Sequence, residues 1–389
     1  MLLQLYLHFP FCKRKCFYCD FCSAEASAEE VEAYCGALRK EIRLEAERYP
    51  DARVSTAFLG GGTPSVVPAR LMAGVLKELR AAFSFLPDAE FTAEANPGTL
   101  TEEWLDAVQR HGVNRLSLGV QAAQDALLKR IGRIHSFSQA EDAVRLARRH
   151  GVKNLSADLM FGLPGQSLAE YLESIGAVCA LGLEHISAYG LILEEGTPLF
   201  SSVKRGLTLL PGEDEVADMY EQGIARLCSL GFRQYEISNF AREGRACRHN
   251  IGYWQGAWYL GLGVAAHSML PPNEAQALLG ARRIRRANPA DGKAYLRAME
   301  ANEPLDAEIQ LIGRAEAMFE TMMLGLRMTE GVEDAEFARQ HGITLNEAYG
   351  PEMAGLKADG LARRLPGGRF ALTARGLAVQ NDVLLRLMK

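Results

Sequence analysis

The chain has 389 residues, 48% hydrophobic and 23% charged, a composition that excludes disordered, collagen-like and coiled-coil classes and has room for two or three domains. Its formal net charge of −5 argues against a dedicated nucleic-acid binder, which needs a strongly basic surface to neutralise phosphates. Of its eight cysteines, Cys12, Cys16, Cys19 and Cys22 are clustered and the rest scattered, which does not suit a disulfide framework in a chain this long.

The first β-prone run, residues 3–8, lacks an early basic residue and a small-residue cleavage site, so it predicts a buried strand instead of a signal peptide. Similar runs follow at 55–59, 90–94, 115–121, 154–159 and 185–191. Helical patterns fall between and after them at 29–48, 69–83, 102–111, 138–150, 167–181 and 213–230. Strand–helix units of this kind imply right-handed βαβ crossovers and a parallel sheet. Six of them suit an α/β fold built as an open or partial barrel, of (β/α)6 TIM type, better than a flat doubly wound sheet. Side chains alternate along a strand, so Gln4, Tyr6 and His8 share one face, as do Thr92 with Glu94 and Ser156 with Asp158. Strands covered by helices on both faces read as continuously apolar; one polar face on each strand instead predicts a lumen that takes a polar ligand at the strand C-termini.

Residues 251–270 contain no Asp, Glu, Lys or Arg and are long enough to raise the question of a membrane span. Their glycines, with Gln255 and His267, argue against a lipid-facing helix. The arginines at 282, 283, 285 and 286, followed by Asn288-Pro289, read as a linker. Helices are then expected at 309–328, 334–341 and 346–359, a hairpin at 362–372 turning at Gly367-Gly368, and a last helix at 374–388. That order predicts a small winged-helix-like domain. The expected division is a barrel over 1–240, an element and linker packing on it over 241–290, and a helical C-terminal domain over 291–389.

The cysteine loop carries the first chemistry. Cys12, Cys16 and Cys19 form a C-x3-C-x2-C pattern, and three thiolates on one loop suit three irons of a [4Fe–4S] cluster, with the fourth iron open. Zinc is the alternative, although no second cysteine hook follows; Cys22 stands as an alternative fourth ligand. Gly60-Gly61-Gly62-Thr63-Pro64 follows the second strand, where glycines let backbone approach a ligand closely. Glu94, Gln121 and Asp158 end the next strands, and Arg133 follows in Gly-Arg-Ile-His135. Singly these are caps, turns or surface charges. Together they form a rim able to hold the carboxylate, ammonium and ribose hydroxyls of a nucleoside–amino-acid conjugate.

These motifs, with Leu5-Tyr6-Leu7-His8 before the loop, resemble the radical S-adenosylmethionine (SAM) superfamily, and within it the branch containing oxygen-independent coproporphyrinogen III oxidase and the HemW-type haem chaperones. The resemblance implies that Cys12, Cys16 and Cys19 ligate the cluster, that SAM chelates the open iron, and that Tyr6, Gly61, Gly62, Thr63, Glu94, Gln121, Arg133 and Asp158 contact SAM. It also implies an electron donor of flavodoxin or ferredoxin type. Two features point to the chaperone side of the branch. Only eleven residues precede Cys12, and Phe21 stands where the oxidase has its fourth cysteine. His249-Asn250-Ile-Gly-Tyr253-Trp254 resembles the chaperones' H-N-x-x-Y-W element, so His249 becomes a candidate haem contact, against the plainer reading of a turn-capping histidine. His267 and the arginine run are weaker haem candidates, with a core histidine and a solvated linker as the plain readings. The expectation is a cytoplasmic haem carrier with an unidentified acceptor, without nucleic-acid binding or an integral membrane span. The alternative is an enzyme, the oxidase that decarboxylates propionate side chains.

Overall fold

The computed structural model describes residues 1–303 and 305–388. Strand β1 (Leu2–Phe9) shows how alternation builds the fold: Leu3, Leu5, Leu7 and Phe9 are fully buried in the main hydrophobic cluster, while Gln4, Tyr6 and His8 face the lumen. Burying side chains of this size contributes about 1.5–3 kcal/mol each. The same alternation continues in β2 (Arg53–Gly61), β3 (Ser84–Ala95), β4 (Arg115–Gln121), β5 (Leu155–Phe161) and β6 (His185–Gly190). These six strands pair in parallel in chain order.

The crossovers are α1 (Ala28–Arg48), α2 (Ala69–Ala82), α3 (Glu102–Arg110), the pair α4 (Asp125–Arg130) and α5 (Phe137–Arg149), and α6 (Leu168–Ala180). Ser27, Thr101, Ser136 and Ser167 start four of them by accepting a backbone N–H three residues on, which satisfies a donor that the helix itself leaves free. Helices α7 (Pro198–Lys204) and α8 (Glu213–Ser229) follow β6.

Strand β6 does not close onto β1, so the barrel is partial. Short strand β8 (Asn239–Ala241) pairs antiparallel with β6, and β7 (Arg233–Gln234) pairs with β8 at that edge of the sheet. On the other side come α9 (Arg248–Trp254), β9 (Tyr259–Leu262), β10 (His267–Leu270), α10 (Glu274–Leu278), β11 (Arg283–Ala287), α11 (Gly292–Ala301) and β12 (Glu308–Ile312). The whole sheet runs β12-β11-β10-β9-β1-β2-β3-β4-β5-β6-β8-β7.

The uncharged stretch 251–270 is the end of α9, a turn, β9 and β10, and among the described residues no helix is long and apolar enough to cross a membrane. Two expectations are corrected here. The arginine run is a strand, not a linker: Arg286 is buried against Glu45 (2.8 Å) and Asp306 (3.1 Å), and Arg283 and Arg285 pair with Glu320. The helix expected from residue 309 starts later, because 308–312 pair antiparallel with β11.

The C-terminal unit comprises α12 (Arg314–Gly325), β13 (Val332–Glu333), α13 (Asp334–His341), α14 (Leu345–Ala358), β14 (Ala362–Leu365), β15 (Arg369–Leu372), α15 (Ala374–Ala378) and α16 (Gln380–Leu387). Its small antiparallel sheet, β13-β15-β14, packs with the helices around Phe337, Tyr349 and Phe370, which gives the helix-and-wing arrangement. Because the main sheet extends through β12, the division expected at residue 290 falls inside it.

Candidate functional site

Ten of the predicted residues, Cys12, Cys16, Cys19, Gly61, Gly62, Thr63, Glu94, Gln121, Arg133 and Asp158, line one cavity at the C-terminal ends of the barrel strands. The cysteine loop leaves β1 and is pinned from several sides. Its Cys12 N–H donates to Ala24 O (2.9 Å), and Phe17 N–H donates to Ile131 O (3.0 Å). His8 holds the far end: Nε2–H donates to Cys22 O at 2.8 Å, which leaves Nδ1 to accept the Tyr6 hydroxyl at 3.1 Å.

The glycine turn lies directly under this loop. Gly62 N–H donates to Phe9 O (2.8 Å) and Thr63 N–H to Phe11 O (2.7 Å), while Thr63 Oγ1 stands 3.6 Å from Cys12 Sγ. A Cβ at Gly61 would meet the His8 ring at 2.6 Å, and one at Gly62 would meet Phe11 O at 2.5 Å. Gly61 also has φ +104, a backbone state that glycine alone adopts without strain. Both glycines are required by close approach.

Arg133 and Asn96 stitch loop to strand ends. The guanidinium donates to Cys16 Sγ (3.6 Å), to Asn96 Oδ1 and to Gly119 O, and Asn96 Nδ2 donates to Thr63 Oγ1 (2.8 Å). Gln121 reaches the cavity by a bulge: the β4–β5 register slips between Gly119 and Gln121, and Gln121 has φ +70. Bulges that re-aim one side chain are concentrated at functional sites.

Two carboxyls face each other across this space. Burial, then the charge of Asp158, pushes the Glu94 carboxyl up to about 8. Burial likewise raises Asp158, whose Oδ1 accepts from Ser117 Oγ at 3.3 Å. A cationic ligand, or one with paired hydroxyls, relieves that mutual repulsion. Among the described residues no three His, Cys, Asp or Glu side chains converge on one point as a single metal ion requires. The three thiols stand instead around a shared cavity, which fits a cluster held by one thiolate per iron.

Two predicted residues lie elsewhere. Tyr6 stands one layer below the cavity, its ring stacked on Phe58 (26° between planes, centroids 6.3 Å apart). His249 is at the opposite end of the lumen, where α9 plugs the strand N-termini. Glu90 anchors that helix by accepting the N–H groups of Arg248 and His249, both at 3.1 Å. The His249 ring is buried, with Nδ1 2.7 Å from Thr56 Oγ1 and Nε2 3.1 Å from Tyr253 Oη. Burial lowers its pKa to about 3, so it is neutral. Sequence reasoning did not single out Asn96 and His8 as site residues. The signal for Asn96 was its Asn-Pro-Gly turn at a strand end; for His8 it was its place on the polar face of β1.

The Radical SAM superfamily profile matches residues 6–178, and the HemN C-terminal domain profile matches residues 312–379. "Heme chaperone HemW" of Lactococcus lactis is 33% identical over 98% of this chain and 96% of its own, and that of Bacillus subtilis 34% over 97% of each. The mouse "Radical S-adenosyl methionine domain-containing protein 1, mitochondrial" is 34% identical over 99% of this chain and 87% of its own. This chain belongs to the radical SAM superfamily, in the family of the HemW heme chaperones. The solved structure of coproporphyrinogen III oxidase (HemN) from Escherichia coli superimposes with a TM-score of 0.83 over 100% of this chain and 90% of that one. Its sequence identity of 22% makes this a likeness of fold. It covers both the partial barrel and the C-terminal domain.

Proposed function

We propose that this chain is a cytoplasmic haem carrier that binds a [4Fe–4S] cluster, SAM and haem, and passes the haem to an acceptor protein. The observation that carries the reading is the near full-length identity of 33–35% to relatives named as heme chaperones, joined to a cavity where the three loop thiols meet the glycine turn. In this reading Cys12, Cys16 and Cys19 hold the cluster. The backbone at Gly61 and Gly62 would hold the methionyl part of SAM, and Glu94 and Asp158 would take up its ammonium and ribose hydroxyls. Arg133 fixes the Cys16 thiolate and the Gly119 carbonyl in place. Tyr6 acts from below, by holding the His8 tautomer that ties down Cys22. When bound there, and given an outside one-electron donor of flavodoxin or ferredoxin type, a cluster would supply electron transfer to SAM.

Haem is assigned to α9. Trp254 lies on a cavity of about 420 Å³ between the barrel and the C-terminal domain, with Trp258, Met328 and Phe337 as further apolar walls. Among the described residues, Gln4 Oε1 and Trp254 Nε1 are buried there without a hydrogen-bond partner. Aromatic walls suit a porphyrin face; His249 and Tyr253 do not line this cavity, so ligation by His249 would require α9 to shift as well as Nε2 to exchange the Tyr253 hydroxyl for iron. Titration of the reconstituted protein with haem tests this: Trp254→Ala and His249→Ala are each expected to weaken binding while iron and sulfide contents stay at wild-type values. Unchanged haem affinity in both variants would remove the assignment. Formation of protoporphyrinogen from coproporphyrinogen and SAM by the reduced protein would instead make it an oxidase.

A further inference from the structure

The face around the cysteine loop has a charge opposite to that of the chain. Lys13, Arg14 and Lys15 fill the interval between Cys12 and Cys16 and are all exposed, and Asp20 is the one carboxylate in residues 12–24. The loop packs on two helices whose ends add to this charge. Phe17 N–H donates to Ile131 O just after α4, and Phe17 O accepts from Leu199 in α7. Helix α4 carries Lys129 in its last turn and α7 ends in Lys204, both exposed. None of these five cations takes part in an ion pair among the described residues. Lys15 donates to a carbonyl, that of Phe21 (2.9 Å), and Lys204 lies 5.5 Å from the centre of the Phe200 ring, neither of which cancels charge. The chain as a whole carries −5, so this is a local positive face on an acidic protein. Arg14 and Lys15 also form part of the wall of the thiol cavity.

We infer that this face, formed by the cysteine loop and the ends of α4 and α7, docks the electron donor: a small one-electron carrier whose redox group is ringed by carboxylates. The inference rests on the iron–sulfur reading given above. One electron leaves the reduced carrier and enters the cluster, with no bond made or broken. Opposite charges steer such encounters and set their rate more than their affinity, and salt screens them. The same cations have a competing role, compensating the negative charge of the thiolates. That role changes the cluster's potential and therefore its reduction by every donor.

The test uses reconstituted protein and two reductants in stopped flow: reduced flavodoxin as the acidic carrier and the photogenerated 5-deazariboflavin radical, which has no docking requirement. Lys129→Glu/Lys204→Glu lies outside the loop and leaves the thiols undisturbed; Lys13→Glu is the second variant. At low ionic strength the double variant is expected to slow reduction by flavodoxin about tenfold or more. The difference should vanish at about 0.5 M salt, with deazaflavin rates unchanged. Equal flavodoxin rates in wild type and both variants would overturn the inference. So would a parallel loss with both reductants, because the cations would then be tuning the cluster itself. Failure of the protein to take up iron and sulfide would instead sink the iron–sulfur reading, and the docking proposal with it.

Discussion

Gly62→Ala tests the geometry of the site most directly. A methyl on Gly62 would sit 2.5 Å from Phe11 O and 2.9 Å from Phe11 C and N, where real contacts rarely fall below 3.4 Å. The obstacle is backbone, and the same carbonyl accepts from Thr63 N–H at 2.7 Å. The glycine turn and the start of the cysteine loop must therefore separate by about 0.5–1 Å. Overpacking of this kind costs about 1–3 kcal/mol of stability, and a shift of about 1 Å in a positioned group costs about a hundredfold in function. Gly36→Ala is the matched control. Gly36 is exposed in α1, and a Cβ there meets nothing within 4 Å. Alanine should therefore stabilise the helix by about 0.5–1 kcal/mol. Urea melts of both variants, iron content after anaerobic reconstitution and equilibrium binding of SAM make up the assay. Gly62→Ala is expected to lose SAM affinity while Gly36→Ala keeps it. Wild-type iron content, SAM affinity and melting in Gly62→Ala would refute the claim that close approach fixes this turn.

Two further outcomes follow from buried charge. The Glu94 carboxyl moves from 4.5 to about 8 on folding, so the native state holds a proton that the unfolded chain releases. Its contribution is fully present below about pH 4.5 and is lost as pH rises towards 8, at up to about 1.4 kcal/mol per pH unit. Glu94→Gln should therefore melt higher than wild type at about pH 8.5, converge with it towards pH 4.5, and bind SAM less tightly; parallel melting curves across pH would contradict the assignment. Arg286 is the shared partner of Glu45 and Asp306, and removing one member of a buried pair costs about 3–5 kcal/mol. Arg286→Met should fall at the lower end, because the half-exposed Arg48 also reaches Glu45 (2.9 Å). Adding Glu45→Met should recover part of the loss in urea denaturation, and strictly additive losses would show that the pair is not coupled.

The barrel was legible in the sequence because each strand carries its own signal. Arg115–Gln121 was expected at those bounds and is found there; Leu2–Phe9 is found within one residue of expectation at each end. The extension beyond β9 was not legible, because long-range partners decide it. Residues 309–312 were absorbed into a helical pattern, yet Ile309 pairs with Arg286 and Leu311 with Ile284. Gly313 then opens α12. The arginine run looks solvated when read alone. Its acceptors, Glu45 and Glu320, lie in α1 and α12, far away in the chain and invisible to any local pattern.

The site divides along the same line. The glycine turn and Glu94 could be picked out because they end a strand or follow one directly, where this architecture puts ligands. Asp158, in the middle of β5, showed with Ser156 as a polar face on an otherwise apolar strand, and Arg133, which follows α4, was reached through its motif. Asn96 and His8 matter through partners that no spacing rule connects: Asn96 joins Thr63 to Arg133, and His8 joins Tyr6 to the backbone of Cys22. His249 shows the converse. Its motif was conspicuous, but the motif alone does not say which end of the lumen it occupies. Glu90 settles that by seizing the first N–H groups of α9 at the strand N-termini. The thiols and the H-N-x-x-Y-W element therefore lie at opposite ends of one lumen.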